Sequence, residues 1–378
     1  QRQMCIRDRC MTLAMANMSM TMTKTATNES SLNLGTALWD DDSHTTFKYP
    51  HAKIENVADK LTLLTVTVEN GSFTKPNDFG EPNLTDINGT SATWIFNGGK
   101  DVGDIENAIR KMTFTPKQGQ NMTVSVIVDG NDVQGFDTLP TGSKLTYNKS
   151  KDRYYLYVAQ VTTWTNAMAE AQKYTLGGRK GYPATVTDEA ELAWVDNISG
   201  TPVWLGANRP YDASIIGNSR ENVLKLRALM TWQYGPEAGI NLSTLPDSMW
   251  GNNGGEPNGA AENCIMLIPL SNINRHGLND LSEGNVSDAE YRCTGVIVEF
   301  GGYEDAGQTD PGGRDTSKTA IDIKTSETPM DVEATIGSER YAPISEALDA
   351  AQDGDTITIV KDQVTATNDA TLKQGVTL

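Results

Sequence analysis

The sequence predicts a multidomain chain that combines a β-sandwich with an α+β domain. Its 378 residues exceed what one ordinary hydrophobic core accommodates and suit two or three domains of common size. A composition of 38% hydrophobic residues with 34 glycines and many Thr and Asn residues favours short strands joined by turns. The hydrophobic period also changes along the chain, from strand alternation to helical spacing and back.

The N-terminal segment, residues 1–43, carries no pattern of regular structure. Residues 1–10, with Cys5 and Cys10, resemble read-through sequence rather than a signal peptide, because no apolar stretch follows a basic start. Residues 11–43 are rich in Met, Thr, Asn and Ser without either period. We expect a poorly ordered segment or the remnant of a preceding module, in a fragment truncated at both ends.

Residues 44–147 have the pattern of a β-sandwich. Residues 61–68 mix alternation with β-branched side chains, and Asn70 and Gly71 close this strand with a turn. Ile105, Ala108 and Ile109 have helical spacing. We therefore expect further strands at residues 93–96, 112–115 and 122–128 and a short helix at 104–111.

This region resembles the cadherin-like repeats of bacterial surface proteins. The resemblance depends on the runs at residues 67–73, 104–109, 112–116 and 124–131, and it implies a stalk module. Asp129, Asn131 and Asp132 could supply oxygens to an interdomain calcium ion. An Asp-Gly pair at a strand end is more often a plain turn.

Residues 150–302 change to a mixed α and β pattern. Thr163 offers an N-cap to a helix with apolar residues at positions 164, 167, 168 and 171. Asp188 and Glu191 have capping-box spacing at the start of a second helix, residues 188–195. Strands are expected at 154–158, 203–206, 264–268 and 295–300. The strand-poor stretch between them, residues 210–263, is uncommonly long unless it is functional or folded on a ligand.

Side-chain oxygens recur in order around this long stretch. Calcium takes six to eight oxygens, and a partly open site lets sugar hydroxyls complete the shell. A cis peptide bond is accessible almost only before proline, so we expect Pro257 to turn its two neighbours towards one point. The alternative is a set of solvated loop residues in a domain that binds protein without metal. The candidate ligands are Glu256, Asn258, Glu262, Asn279 and Asp280.

Residues 150–302 resemble the C-type lectin domain. The resemblance rests on Trp-Leu-Gly at 204–206, Trp232, Trp250, Glu-Pro-Asn at 256–258, Glu-Asn-Cys at 262–264, Asn-Asp at 279–280 and the closing residues 298–300. It implies that the five candidate ligands hold one calcium ion and that mannose-type sugars are preferred. The chain departs from the family at Leu278, where Trp is usual, and lacks the cysteines that join the first helix to the last strand. We expect the tryptophans to be core residues rather than sugar-stacking platforms.

Two further cysteines, Cys264 and Cys293, flank a Gly- and Asn-rich loop. We predict that they form a disulfide, because a zinc site would need additional ligands close by. The alternative is a pair of buried free thiols.

The C-terminal part divides into two segments. Residues 303–330 read as a Gly, Asp and Thr linker. In residues 331–378 an amphipathic helix at 341–351 precedes an alternating strand at 355–360. This tail looks like the entry cap of a right-handed parallel β-helix whose coils are lost to truncation.

Charge and motifs exclude several function classes. The net charge of −18 disfavours nucleic acids and anionic membranes as partners. No run approaches the roughly 20 apolar residues of a membrane span, so no membrane insertion is expected in this fragment. The three histidines, His44, His51 and His276, have no metal-binding spacing, and no nucleophile or nucleotide motif is present. We therefore expect that the protein is not an enzyme.

The sequence thus predicts calcium-dependent carbohydrate binding, with mannose-type preference, by a secreted or cell-surface bacterial adhesin. Glycans or glycoproteins would be its partners, in an extracellular or cell-surface location. Two alternatives remain open. One is a metal-independent protein-binding module on the same scaffold, and the other is a docking module of a polysaccharide-degrading protein.

Overall fold

The fold is described from a computed structural model of the chain. Cys5, Cys10 and the other residues up to 29 lie outside its described part. The model describes residues 30–40, 42–86, 89–212, 214–215, 217, 219–259, 261–271, 275–287, 291–325, 328–362, 364 and 372–378. Within these ranges no helix is long and apolar enough to cross a membrane.

The first domain, as far as the structure describes it, is a sandwich of two larger sheets with an additional two-stranded sheet and one helix. Its elements are β1 (Ser31–Asn33), β2 (Leu38–Trp39), β3 (Phe47–Lys48), β4 (Lys53–Glu55), β5 (Lys60–Glu69), β6 (Gly71–Thr74), β7 (Leu84–Thr85), β8 (Ser91–Asp101), α1 (Val102–Lys111), β9 (Thr113–Pro116) and β10 (Thr123–Asp129). One sheet has β5 between β10 and β8, and the other has the order β2-β3-β9-β6. Val66 and Val126 from the first sheet pack with Phe47 and Phe114 from the second in one core. The predicted strands and helix of this domain are present.

The sandwich begins earlier than the predicted boundary at residue 44. Leu32 and Leu34 are buried in its core, and β1 pairs antiparallel with β4. This strand was not recognised because the alternation of Ser31, Leu32, Asn33 and Leu34 is only four residues long.

The second domain is built around a mixed sheet. Its elements are β11 (Lys144–Asn148), β12 (Arg153–Val158), α2 (Trp164–Ala171), β13 (Thr175–Leu176), β14 (Arg179–Lys180), β15 (Tyr182–Pro183), α3 (Glu189–Ser199), β16 (Val203–Asn208), α4 (Arg220–Leu229), β17 (Thr231–Trp232), α5 (Gly251–Gly254), β18 (Cys264–Ile268), β19 (Gly277–Leu281) and β20 (Gly295–Phe300). The main path of the sheet is β11-β12-β20-β16-β18-β19. Because β12 pairs antiparallel with β20, the two ends of the domain lie side by side.

Local sequence signals set the two helices that flank this sheet. The Thr163 side chain accepts a hydrogen bond from the Asn166 backbone N–H, and the Asp188 side chain accepts one from Glu191 N–H. Both predicted N-caps are therefore confirmed. Helix α2 buries Trp164 and the apolar residues at its helical spacing, as the sequence predicts.

The segment predicted as a linker contains a strand of the first domain. Strand β21 (Thr319–Thr325) pairs antiparallel with β10, from Thr123 opposite Thr325 to Asp129 opposite Thr319. The larger sandwich sheet therefore has the order β21-β10-β5-β8-β7. The linker prediction for 303–330 was wrong here, because a half-exposed edge strand needs little apolar content. The second domain is an insertion between two neighbouring strands of the sandwich.

The outer face of the large sandwich sheet packs against this insertion. Successive side chains of a strand point to opposite faces, so Leu63, Ile95 and Ile127 point away from the sandwich core. They join a buried cluster with residues of the second domain, including Leu145 and Leu156. The two domains thus share apolar contact rather than only a covalent connection.

A polar turn closes the point where the chain enters the insertion. Asp129 accepts hydrogen bonds from the backbone N–H of Asn131 at 2.7 Å and its side-chain amide at 2.8 Å, and from the Thr319 hydroxyl at 2.9 Å. Asn131 also bonds the backbone of Asp315 in both directions. Asp132 is exposed. These contacts satisfy the hydrogen-bonding capacity of the Asp129 carboxylate within a turn. The sequence pattern favours such a plain turn over an interdomain calcium site.

The C-terminal segment forms a small antiparallel sheet with one helix. Its elements are β22 (Ala334–Ile336), β23 (Glu339–Tyr341), α6 (Ile344–Ala350) and β24 (Ile357–Ile359). β22 pairs antiparallel with both other strands. The predicted helix and strand are present, while the start of a parallel β-helix stays a prediction. His51 of the sandwich stacks on Tyr341 at 4.4 Å.

Candidate functional site

The five predicted ligands come from two neighbouring parts of the second domain. Glu256, Asn258 and Glu262 lie in the segment before β18, which we call the binding loop (residues 254–259 and 261–262). Asn279 and Asp280 lie on β19, opposite Met266 and Ile265 of β18. The Glu256–Pro257 peptide bond is cis, as the sequence predicts.

Asp280 connects the binding loop to β19 through hydrogen bonds. Its side chain is fully buried, and its two carboxylate oxygens accept the backbone N–H groups of Asn258 at 2.9 Å and Gly259 at 3.1 Å. Burial raises the pKa of Asp280 to about 8, and the neighbouring carboxyl groups of Glu262 and Glu256 act in the same direction. The loop and β19 are therefore joined through one acidic side chain.

Glu256 and Glu262 complete a group of three acidic side chains. Burial raises the pKa of Glu256 to about 7, and the charge of Glu262 adds to this effect, while a hydrogen bond with the Asp280 side chain opposes it. Burial also raises the pKa of Glu262. The Oε2 atom of Glu256 is buried and has no hydrogen-bond partner among the described residues. The three carboxyl groups are near enough to repel one another when ionised.

The two amide side chains lie at the edges of this acidic group. Asn279 is 7% exposed, and its side-chain amide donates to the Asp280 carbonyl at 2.6 Å. Asn258 lines an open groove of about 700 Å³. Other residues of this groove are Gly217, Arg220, Asp247, Asn252 and Asn253. The groove therefore adjoins the binding loop at Gly254, Gly255 and Asn258.

The acidic group has donor atoms of the kind that bind a hard metal ion. Oxygen donors and the buried Glu256 Oε2 suit a hard cation such as calcium. Within the described part of the chain, however, no group of three or more His, Cys, Asp or Glu side chains has the arrangement of a metal site. Amide or backbone oxygens and some side-chain rotation would therefore have to complete the shell.

The apolar support beneath the site consists of core residues. Trp204, Trp232 and Trp250 are at most 2% exposed, so they serve as core rather than as sugar-stacking platforms. Leu278 is fully buried in the same cluster as Trp250 and makes a β-bridge with it. Leucine at this position therefore retains an apolar prop under β19.

The structure has Cys264 and Cys293 as free, buried thiols rather than as the predicted disulfide. Both belong to one core cluster, and the pKa of the Cys293 thiol is raised by burial and by the neighbouring Cys264. The two side chains are thus neighbours in an apolar environment that favours the protonated thiol.

Sequence reasoning missed two groups of charged residues. Arg209 and Arg227 are 1% exposed and donate to backbone carbonyls of the binding loop. Arg153 bonds Glu299 at 2.6 Å in the interior, with Glu191 at 3.6 Å. No spacing marks such residues, because a hydrogen bond to a backbone carbonyl imposes no side-chain pattern on the partner, and Glu299 lies 146 residues from Arg153.

Comparisons with known proteins find a distant sequence relative and several solved structures of low similarity. No protein-family model matches it. Halomucin of Haloquadratum walsbyi (strain DSM 16790 / HBSQ001) is 26% identical over 182 residues, which are 45% of this chain and only 2% of halomucin. The chain therefore spans a very small part of that relative.

Among solved structures, the C-type lectin CEL-I from Cucumaria echinata is 19% identical, with a TM-score of 0.28 and coverage of 43% of this chain and 98% of the lectin. A calcium-independent type II antifreeze protein is 15% identical, with a TM-score of 0.25 and coverage of 45% and 95%. The structural neighbours have C-type lectin-like folds.

Proposed function

We propose that residues 150–302 bind carbohydrate through a calcium ion held by Glu256, Asn258, Glu262, Asn279 and Asp280. The observation that carries this proposal is Glu256 Oε2, a buried oxygen without a partner among the described residues beside two further carboxyl groups. Burying several acidic groups together is costly unless a cation compensates their charge. A divalent cation with oxygen ligands supplies that compensation.

The groove beside Asn258 is where the sugar would enter. Calcium that retains open coordination positions binds vicinal hydroxyl groups directly, and the same Glu and Asn side chains hydrogen-bond those hydroxyls. The preference for mannose-type sugars rests on the Glu-Pro-Asn order at residues 256–258. We further propose that the whole protein is a secreted or cell-surface adhesin with glycans or glycoproteins as partners, and that it is not an enzyme.

The test is calcium titration of the full chain by calorimetry, followed by glycan-array binding with and without chelator. We expect one calcium ion per chain and sugar binding that chelator abolishes. Asp280→Ala and Asn279→Ala should remove both activities. Glu221→Gln is the matched control, because Glu221 is an exposed acidic residue of the same domain that pairs with Lys225. Calcium binding that survives both β19 variants would overturn the proposed site.

A second function is metal-independent protein binding. It is favoured by the lack of a group of three acidic, His or Cys side chains arranged for a metal within the described ranges. In this case Glu256 and Asp280, whose pKa values burial raises to about 7 and about 8, would stay partly protonated, and partner binding would persist in chelator. The glycan-array measurement in chelator therefore separates the two functions.

A further inference from the structure

Two buried arginines donate hydrogen bonds to the two ends of the binding loop. Arg227, in the last turn of α4, donates through Nε and Nη2 to the Glu256 carbonyl at 3.0 and 2.8 Å. Its Nη2 also donates to the Gly254 carbonyl at 2.9 Å. A guanidinium group offers five N–H donors in a rigid plane, so one side chain fixes two successive parts of the loop.

Arg209 does the same for the other end of the loop. It directly follows β16, and its Nη2 donates to the carbonyls of Gly259 at 2.8 Å and Glu262 at 2.7 Å. The segment that carries three of the five proposed ligands is therefore fixed at both ends by a guanidinium group.

Arg227 is itself held in place. Its Nη1 donates to Asp247 at 2.6 Å, and its guanidinium carbon lies 4.5 Å from the centre of the Trp250 ring. Between the two arginine-bonded ends of the loop, the Asp280 carboxylate accepts the N–H groups of Asn258 and Gly259. These carbonyl and N–H groups of the binding loop thus have hydrogen-bond partners within the protein, and none of these bonds requires an ion.

We propose that Arg227 and Arg209 are positioning residues that hold the binding loop in its ligand-binding shape before an ion binds. Their effect on affinity rests on the proposed function, whereas their effect on loop order does not. A preorganised loop loses less conformational freedom on binding. The guanidinium charges also offset the negative charge of the neighbouring carboxylates. Calcium would then bind an ordered loop rather than fold a disordered one.

Hydrogen exchange on the full chain in chelator tests the loop directly. We expect the amides of Asn258 and Gly259 to be protected in the metal-free protein. Arg227→Met should lower that protection at least about tenfold while amides in β18 and β20 stay unchanged. Lys225→Met is the matched control, because Lys225 is an exposed residue of the same helix that contacts Glu221. Open-chain exchange at Asn258 and Gly259 in the wild-type protein would overturn the proposal.

Calcium calorimetry tests the consequence for affinity. Replacing a residue that orients metal ligands typically costs about 10- to 100-fold in metal affinity, so Arg227→Met and Arg209→Met should raise the calcium Kd by this factor. Arg227→Lys retains the charge but not the planar fork, and we expect it to behave like Arg227→Met. Wild-type affinity in Arg227→Lys would contradict the geometric role.

The two measurements can refute the proposed function and the positioning role separately. If the wild-type protein binds no calcium, the proposed function is wrong, and exchange in chelator still decides whether the arginines order the loop. If calcium binds with wild-type affinity in both arginine-to-methionine variants, the positioning role is wrong while the calcium site stands.

Discussion

The turn at Asp129 determines how firmly the insertion is joined to the sandwich. Replacing Asp129 with alanine removes one carboxylate that accepts three hydrogen bonds, from Asn131 N–H, the Asn131 amide and the Thr319 hydroxyl. Asp129 is 4% exposed, so water cannot take over these contacts. Hydrogen bonds to a charged group contribute about 1.5–3 kcal/mol each. Burial raises the pKa of Asp129, which shows that the desolvation cost of the carboxylate offsets part of this sum.

We therefore expect Asp129→Ala to lower the free energy of unfolding by about 3–5 kcal/mol, a loss typical of breaking a buried polar network. Urea denaturation followed by tryptophan fluorescence measures it. Asp132→Ala is the matched control, because the exposed Asp132 lies only three residues away, and its change should stay within about 0.5 kcal/mol. A loss below about 1 kcal/mol for Asp129→Ala, or equal losses in both variants, would refute this reasoning. Added calcium should leave the difference unchanged, since the carboxylate bonds protein groups.

Three other predictions follow from buried ionisable groups. Burial raises the pKa of Asp280 in the folded protein to about 8, above the usual 3.8. The metal-free protein should therefore lose stability as the pH rises from about 4 to 8. Asp280→Asn should flatten this pH dependence of the melting temperature in thermal melts. Arg153→Met leaves the buried Glu299 without its cation and should cost about 3–5 kcal/mol in urea denaturation at pH 9. Burial raises the pKa of Glu299 to about 8, so the loss should be smaller at pH 5. Under oxidising conditions Cys264 and Cys293 should form a disulfide worth about 2–4 kcal/mol; alkylation of both thiols in denatured, unreduced protein would contradict this.

Elements determined by neighbouring residues could be predicted from the sequence. The N-caps at Thr163 and Asp188 bond residues three positions away, so their signals lie within one turn. The order of acidic and amide residues around the binding loop likewise predicts their convergence, since the loop and β19 flank one strand, β18. Each of these predictions depends on a short stretch of chain.

Elements determined by partners far away in the sequence could not be predicted. The bond between Thr319 and Asp129 spans 190 residues. Ile321 and Ile323 alternate with polar residues in β21, but both are half-exposed. Arg209 and Arg227 contact backbone carbonyls, which every residue carries. Nothing in the sequence marks which carbonyls accept these hydrogen bonds. The arginine contacts to the binding loop can therefore be identified only from the folded structure.

The inserted arrangement couples the two domains through chain entropy as well as contact. Closing a flexible loop costs about (3/2)RT ln n, which for an unfolded segment between Asp129 and Thr319 is about 5 kcal/mol. The folded insertion brings its own ends together, because β12 pairs with β20 and Gly130 N–H donates to the Lys318 carbonyl at 2.9 Å. Much of that cost is then met when the insertion folds. Unfolding the insertion would therefore weaken the β10–β21 pairing, even though no residue of either strand is changed.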